Sequence, residues 1–150
     1  MDDTTDEVMD RIAELAGKGY FCSQVLITLA LDAQGKSDPD LVRTMDGIAH
    51  GCWYPEGQCG AWSGGACLIA LYAGKGTDDE EADDAFLSML ADLGKWFIET
   101  VTERYGGITC GVIMAEKSEI PARCRRTVRD VYEHVVELLM ANGYDLTQGK

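Results

Sequence analysis

Four cysteines, Cys22, Cys59, Cys110 and Cys124, each fall near the expected start of a helix. Thiols carry redox chemistry and bind soft metals. A helix start offers unpaired backbone N–H groups and the positive end of the macrodipole. Both favour thiolate over thiol, so the positions predict lowered thiol pKa values, better nucleophiles and better metal ligands. Helix starts converging on one point would suit an anionic thiolate cluster or a reactive cysteine pair. Arg123, Arg125 and Arg126 flank Cys124 and add positive charge there. No Cys-x-x-Cys occurs, which argues against a thioredoxin-type dithiol and an ordinary zinc knuckle. The four come from four separate segments, so only tertiary structure can gather them.

The other candidates are weaker. Cys52 and Cys67 read as packing residues, since free cysteine is among the most buried types. Cys52 has a second role open to it as a resolving thiol, and Cys67 lies two helical turns beyond Cys59. His50, close to Cys52, is a candidate metal ligand, whereas His134 reads as surface. Trp53, Tyr54 and Trp62 either wall a site or join the core. The acids at 78–84 lack the Asp-x-Asp-x-Asp-Gly order of a calcium loop. No nucleotide loop, Ser-His-Asp set or paired-carboxylate motif is present.

Nearly every segment that must position these residues reads as helix. A capping-box pair, Thr4 and Glu7, opens a helix over 5–17 with Val8, Ile12, Leu15 and Ala16 on one face. Tyr20 to Gln24 open a second, striped by Val25, Leu26, Leu29 and Ala30. Asp38 as N-cap with Pro39 behind it opens a short third. Residues 47–57 read as a loop punctuated by Gly and Pro. The glycine-rich stretch from Gly57 to Cys67 begins the next helix, over about 59–73. Glycine weakens a helix by about 1 kcal/mol relative to Ala, so Gly64 and Gly65 need an offsetting close contact. A second capping-box pair, Thr77 and Glu80, with six acids around it, predicts a long helix to about Arg104. A short helix is expected at Thr109 or Cys110. The last starts at Pro121, with Cys124 in its first turn and Asn142-Gly143 as the stop. The expectation is an all-α, single-domain bundle of about five or six helices over residues 1–150.

Apolar residues make up 46% of the chain, enough for one core, and the formal charge is −13. That charge excludes nucleic-acid backbones and anionic membranes as natural partners. No apolar run approaches the roughly 18 residues of a membrane span. The acidic N-terminus lacks the order of a signal peptide, so a cytoplasmic protein is expected. Structural disulfides are rare in that compartment, which turns attention to metal or redox roles for the thiols.

Phe21-Cys22-Ser23-Gln24, then Cys59-Gly60-Ala61-Trp62-Ser63-Gly64, then Cys110 and Cys124 resemble the C_GCAxxG_C_C family of redox-active proteins. The resemblance covers roughly residues 10–140, and this chain is bulkier at His50 to Pro55 than the glycine-rich run common in the family. It implies that Cys22, Cys59, Cys110 and Cys124 are the functional set, with Gly60, Ala61 and Gly64 beside any cofactor. It also implies a small helical protein of electron transfer or thiol redox chemistry. Two chemistries fit four thiols: an iron–sulfur cluster held by all four, and dithiol–disulfide exchange between two. Zinc on four cysteines ranks below them. The expected function is an electron-transfer module with an iron–sulfur centre. The alternatives are a metal-free thiol–disulfide oxidoreductase and an interaction protein with buried cysteines. The expected partner is another redox protein, and a homodimer is compatible with the sequence.

Overall fold

The computed structural model describes residues 3–150, and they form an all-α protein. Its elements are α1 (Asp3–Gly17), α2 (Cys22–Ala33), α3 (Pro39–Met45), α4 (His50–Trp53), α5 (Gly60–Ala73), α6 (Phe86–Tyr105), α7 (Cys110–Ile113) and α8 (Ile120–Ala141). Short 3₁₀ turns follow α3 and precede α8. Among the described residues the only β pairing is a single antiparallel bridge between Gln58 and Thr109.

Helices α2 and α5 form the centre. Val25, Leu26, Ile27, Leu29, Ala30 and Leu31 of α2 are all buried, so this helix is apolar nearly all round. Helix α5 packs against α2, α6 and α8. A β-carbon on Gly64 would lie 2.8 Å from Ser23 Cα, and one on Gly65 would lie 2.6 Å from Val131 Cγ1. Both glycines therefore let α5 sit flush on its neighbours, which offsets their helix cost. Helices α6 and α8 bury one face each, through Met89, Leu93, Phe97 and Val101 and through Val128, Val131, Val135 and Leu139. Each such side chain removed from water contributes about 1.5–3 kcal/mol.

Asp38 caps α3 as expected, accepting from Leu41 N–H at 3.0 Å, and Pro39 follows it. Among the described residues the helices number eight rather than five or six; α7 is the short helix expected at Cys110, and α4 is a single turn where a loop is expected. Thr4 lies inside α1, not at its cap. The Thr77–Glu80 pair does not open a helix: α6 starts only at Phe86. Glu80 Oε1 does accept from Thr77 N–H at 2.7 Å, so half of the capping box forms. Continuing as helix would stack Asp79 on Asp83 and Glu80 on Asp84, like charges four apart. The segment instead ties to the bundle. Asp83 N–H bonds Ala73 O at 2.8 Å, and the Asp83 carboxylate meets Tyr144 and Lys150.

Candidate functional site

The Cys-Ser-Gln triplet divides its work. Cys22 is the first residue of α2. Ser23 Oγ donates to Met45 O at 2.7 Å, buried, and Gln24 Nε2 donates to Val42 O at 3.3 Å. Gln24 Oε1 also accepts from Phe21 N–H at 3.2 Å. The start of α2 is thereby pinned to the end of α3. That leaves the Cys22 sulfur over the start of α5, 2.5 Å from where a β-carbon on Gly60 would stand.

Cys59 and Cys110 are brought together by the backbone. Cys59 N–H bonds Ile108 O at 3.0 Å, Cys110 N–H bonds Gly57 O at 2.9 Å, and Gly111 N–H bonds Pro55 O at 2.8 Å. These bonds surround the Gln58–Thr109 bridge. Cys59 is the N-cap of α5, and Cys110 begins α7, which Thr109 Oγ1 caps by accepting from Val112 N–H. Cys124 stands in the second turn of α8 rather than the first, because that helix begins at Ile120.

Between α3 and α5 the chain makes a left-handed turn. His50, Gly51, Cys52 and Trp53 have φ values of 51°, 66°, 59° and 59°. Three of these are not glycine, and each such residue costs about 1–2 kcal/mol in this region. Surrounding contacts hold the strain. Trp53 N–H bonds Ala49 O at 2.9 Å, and Trp53 Nε1 donates to Asp46 O at 2.8 Å. The Trp53 ring stacks on His50 at 4.6 Å and meets Phe21 edge-on at 4.9 Å. A β-carbon on Gly51 would lie 2.7 Å from Gly57 O, so two glycine backbones close the turn. The turn sets His50 Nδ1 3.8 Å from Cys110 Sγ and aims the His50 backbone N–H at the Cys22 sulfur.

The result is one cavity of about 320 Å³, lined by Cys22, Cys59, Cys110 and Cys124 together with His50 and Met114. Its remaining wall is mostly apolar, and among the described residues Arg125 is the one Lys, Arg, Asp or Glu side chain on it. Gly60 and Ala61 border the cavity, but Gly64 does not: it is spent on packing against Ser23. Cys52 is exposed and Cys67 half-buried, and neither lines the cavity. Trp53 and Tyr54 are exposed and neither lines the cavity, although Trp53 stacks on His50, whereas Trp62 stacks on Phe97 of the core at 5.4 Å. Met114 was not singled out by its type. Its Sδ lies 3.1 Å from Cys110 Sγ, and the only sequence signal was the four-residue spacing on α7.

Electrostatically the thiols run against the expectation of lowered pKa values. Burial pushes Cys59 up to about 12, although the backbone N–H groups of Ala61 and Trp62 favour its thiolate. Burial pushes Cys124 up to about 11, with Cys22 and Cys110 adding to the effect. Cys22 is raised by burial against N–H groups of His50, Ser23 and its own backbone. Cys110 is raised by burial and then by Cys22. Burial holds His50 below its ordinary value, against the pull of Asp46. At Cys22 and Cys59 desolvation of the charged form outweighs the backbone amides aimed at the sulfurs.

Among the described residues no three His, Cys, Asp or Glu side chains are gathered as they would be around one metal ion. With Zn–S bonds of about 2.3 Å, four sulfurs on a single zinc crowd within about 4 Å of each other. A cluster spreads its ligands over several iron atoms and accepts a wider ring of thiols around a cavity. The donor type here, four thiols with amide N–H groups aimed at two of them, is the type that such clusters use. Among the described residues no helix is long and apolar enough to cross a membrane.

The family described as "Putative redox-active protein (C_GCAxxG_C_C)" matches residues 20–138. No match was found among curated proteins or among solved structures. The matched span takes in all four cavity cysteines and the Cys59-Gly60-Ala61-Trp62-Ser63-Gly64 segment, and the chain belongs to the C_GCAxxG_C_C family.

Proposed function

We propose that this protein is an electron-transfer module in which Cys22, Cys59, Cys110 and Cys124 hold an iron–sulfur centre. One observation carries the reading: four thiols from four separate elements line one largely apolar cavity with no carboxylate from the described residues on its wall. When bound, such a centre supplies reversible one-electron chemistry tuned by burial and by hydrogen bonds to sulfur. The chain's own residues do the rest. The N–H groups of His50 and Ser23 at Cys22, and of Ala61 and Trp62 at Cys59, stabilise sulfur as thiolate. The apolar wall keeps water away and makes thiols costly to ionise without a cation, so metal binding releases protons. Anaerobically prepared protein is expected to be coloured, with stoichiometric iron and sulfide. Changing any one of the four cysteines to Ser is expected to lower that content, and Cys52→Ser or Cys67→Ser to leave it unchanged. Colourless, metal-free protein from that preparation would sink the proposal.

A second reading is supported by the nearness of Cys22 to the start of α5: its sulfur rests on Gly60, the neighbour of Cys59. In that reading Cys22 and Cys59 form a disulfide by passing two electrons and two protons to a partner disulfide, which is reduced to two thiols. Differential alkylation and mass spectrometry read it as a reversible change of two protons in metal-free protein. Cys22→Ser should abolish that change and Cys67→Ser should not.

A further inference from the structure

The cavity wall carries one formal charge, on Arg125, in a chain whose formal charge is −13. The neighbouring cations are spoken for. Arg104, Arg126 and Arg129 all pair with Asp130, and Arg123 pairs with Glu119 at 3.0 Å. Arg123 also lies over the Tyr105 ring. Arg125 has no ion-pair partner among the described residues, and it follows Cys124 directly on α8. What sets Arg125 apart is its place: it is exposed, and it lines the same space as the four thiols.

We propose that Arg125 is the counter-charge of the redox centre and a positioning residue for its potential. The inference rests on the iron–sulfur reading above. Reduction of a centre held by four thiolates adds one electron and no proton, hence one negative charge. A fixed positive charge at the cavity mouth favours that added charge through the low-dielectric wall. Arg125 therefore raises the reduction potential, the lever that net charge near a cluster provides. Dithiol chemistry forecasts no such shift. Reducing a disulfide to thiols whose pKa values are raised takes up two protons with two electrons, adds no charge at neutral pH, and leaves Arg125 without effect.

The test is a spectroelectrochemical titration of the intact, anaerobically prepared protein, with iron and sulfide assayed on each sample. Arg125→Gln is expected to shift the midpoint to more negative potential, Arg125→Glu further in the same direction, and Arg125→Lys to stay close to wild type. Arg126→Gln makes the same change in net charge away from the cavity wall and is expected to shift the midpoint far less. The wild-type shift relative to Arg125→Gln should shrink at high salt, because Arg125 is solvent-exposed and screened. Equal shifts in Arg125→Gln and Arg126→Gln would reduce the effect to net charge and overturn the proposal. So would an unmoved midpoint in an Arg125→Gln sample with full iron and sulfide. Wild-type protein without iron or sulfide overturns the iron–sulfur reading itself, and the assay separates that result from a failure of Arg125. Circular dichroism checks the fold of each variant.

Discussion

The Cys22 sulfur lies over Gly60: a β-carbon there would stand 2.5 Å from Sγ, 2.9 Å from Ile48 O and 3.1 Å from Ala49 Cα. The sulfur can swing aside, but the Ile48 carbonyl is backbone and cannot. Gly60→Ala is therefore expected to destabilise by about 1–2 kcal/mol, overpacking outweighing the gain in helix propensity. Because relief comes from moving Cys22, the proposed iron–sulfur function predicts that the same variant loses iron before it loses structure. Chemical denaturation and metal analysis on one preparation check both parts.

The left-handed turn depends on Gly57 as much as on its own residues. A β-carbon on Gly57 would fall within the Gly51 carbonyl, and both partners are backbone. Gly57→Ala should cost about 3 kcal/mol and separate His50 from the cavity. Gly17, at the end of α1, meets nothing within 4 Å of its added β-carbon. Gly17→Ala should be neutral or stabilise by about 0.5–1 kcal/mol. Denaturant midpoints of the two variants give the contrast.

Ser23 is fully buried and its hydroxyl is committed to Met45 O. Ser23→Ala leaves that carbonyl without this donor in a dry contact and should cost about 1–3 kcal/mol. Ser23→Cys, which offers only a weak donor, should recover little of it. Thermal unfolding of the two variants measures the loss.

Metal-free protein should lose stability as pH rises. The Cys59 thiol is pushed by burial from its ordinary 9.0 to about 12, and Cys124 is pushed to about 11. Between these limits the unfolded chain releases thiol protons that the folded chain retains. The unfolded state then binds fewer protons, so unfolding becomes easier with increasing pH. The stabilising contribution is complete below about pH 9 and fades as pH climbs toward about 12. Cys59→Ala should flatten part of that slope. Ultraviolet thiolate absorbance followed alongside denaturation would locate each ionisation.

The helical class was legible from local rules because those rules act within a few residues. The stripes of α2 and α8, the Asp38–Pro39 start of α3 and the short start at Cys110 all follow from side-chain spacing and free helix-end groups. Cys22, Cys59 and Cys110 stand at helix starts, a local property, whereas Cys124 does not, and the set of four is implied by the family resemblance. Tertiary structure decided the rest. The acids at 78–84 have a good local helix signal, yet contacts from Ala73, Tyr144 and Lys150 and like-charge stacking keep them out of α6. The turn at His50 to Trp53 is locally unfavourable and exists only because Gly51 closes on Gly57 while Phe21 and Asp46 hold Trp53. The meeting of Cys59 with Cys110 depends on backbone bonds between segments some fifty residues apart. The direction of the thiol pKa shifts also reversed. Helix-start amides are readable in a sequence, whereas the desolvation that outweighs them exists only once four elements have closed around the sulfurs.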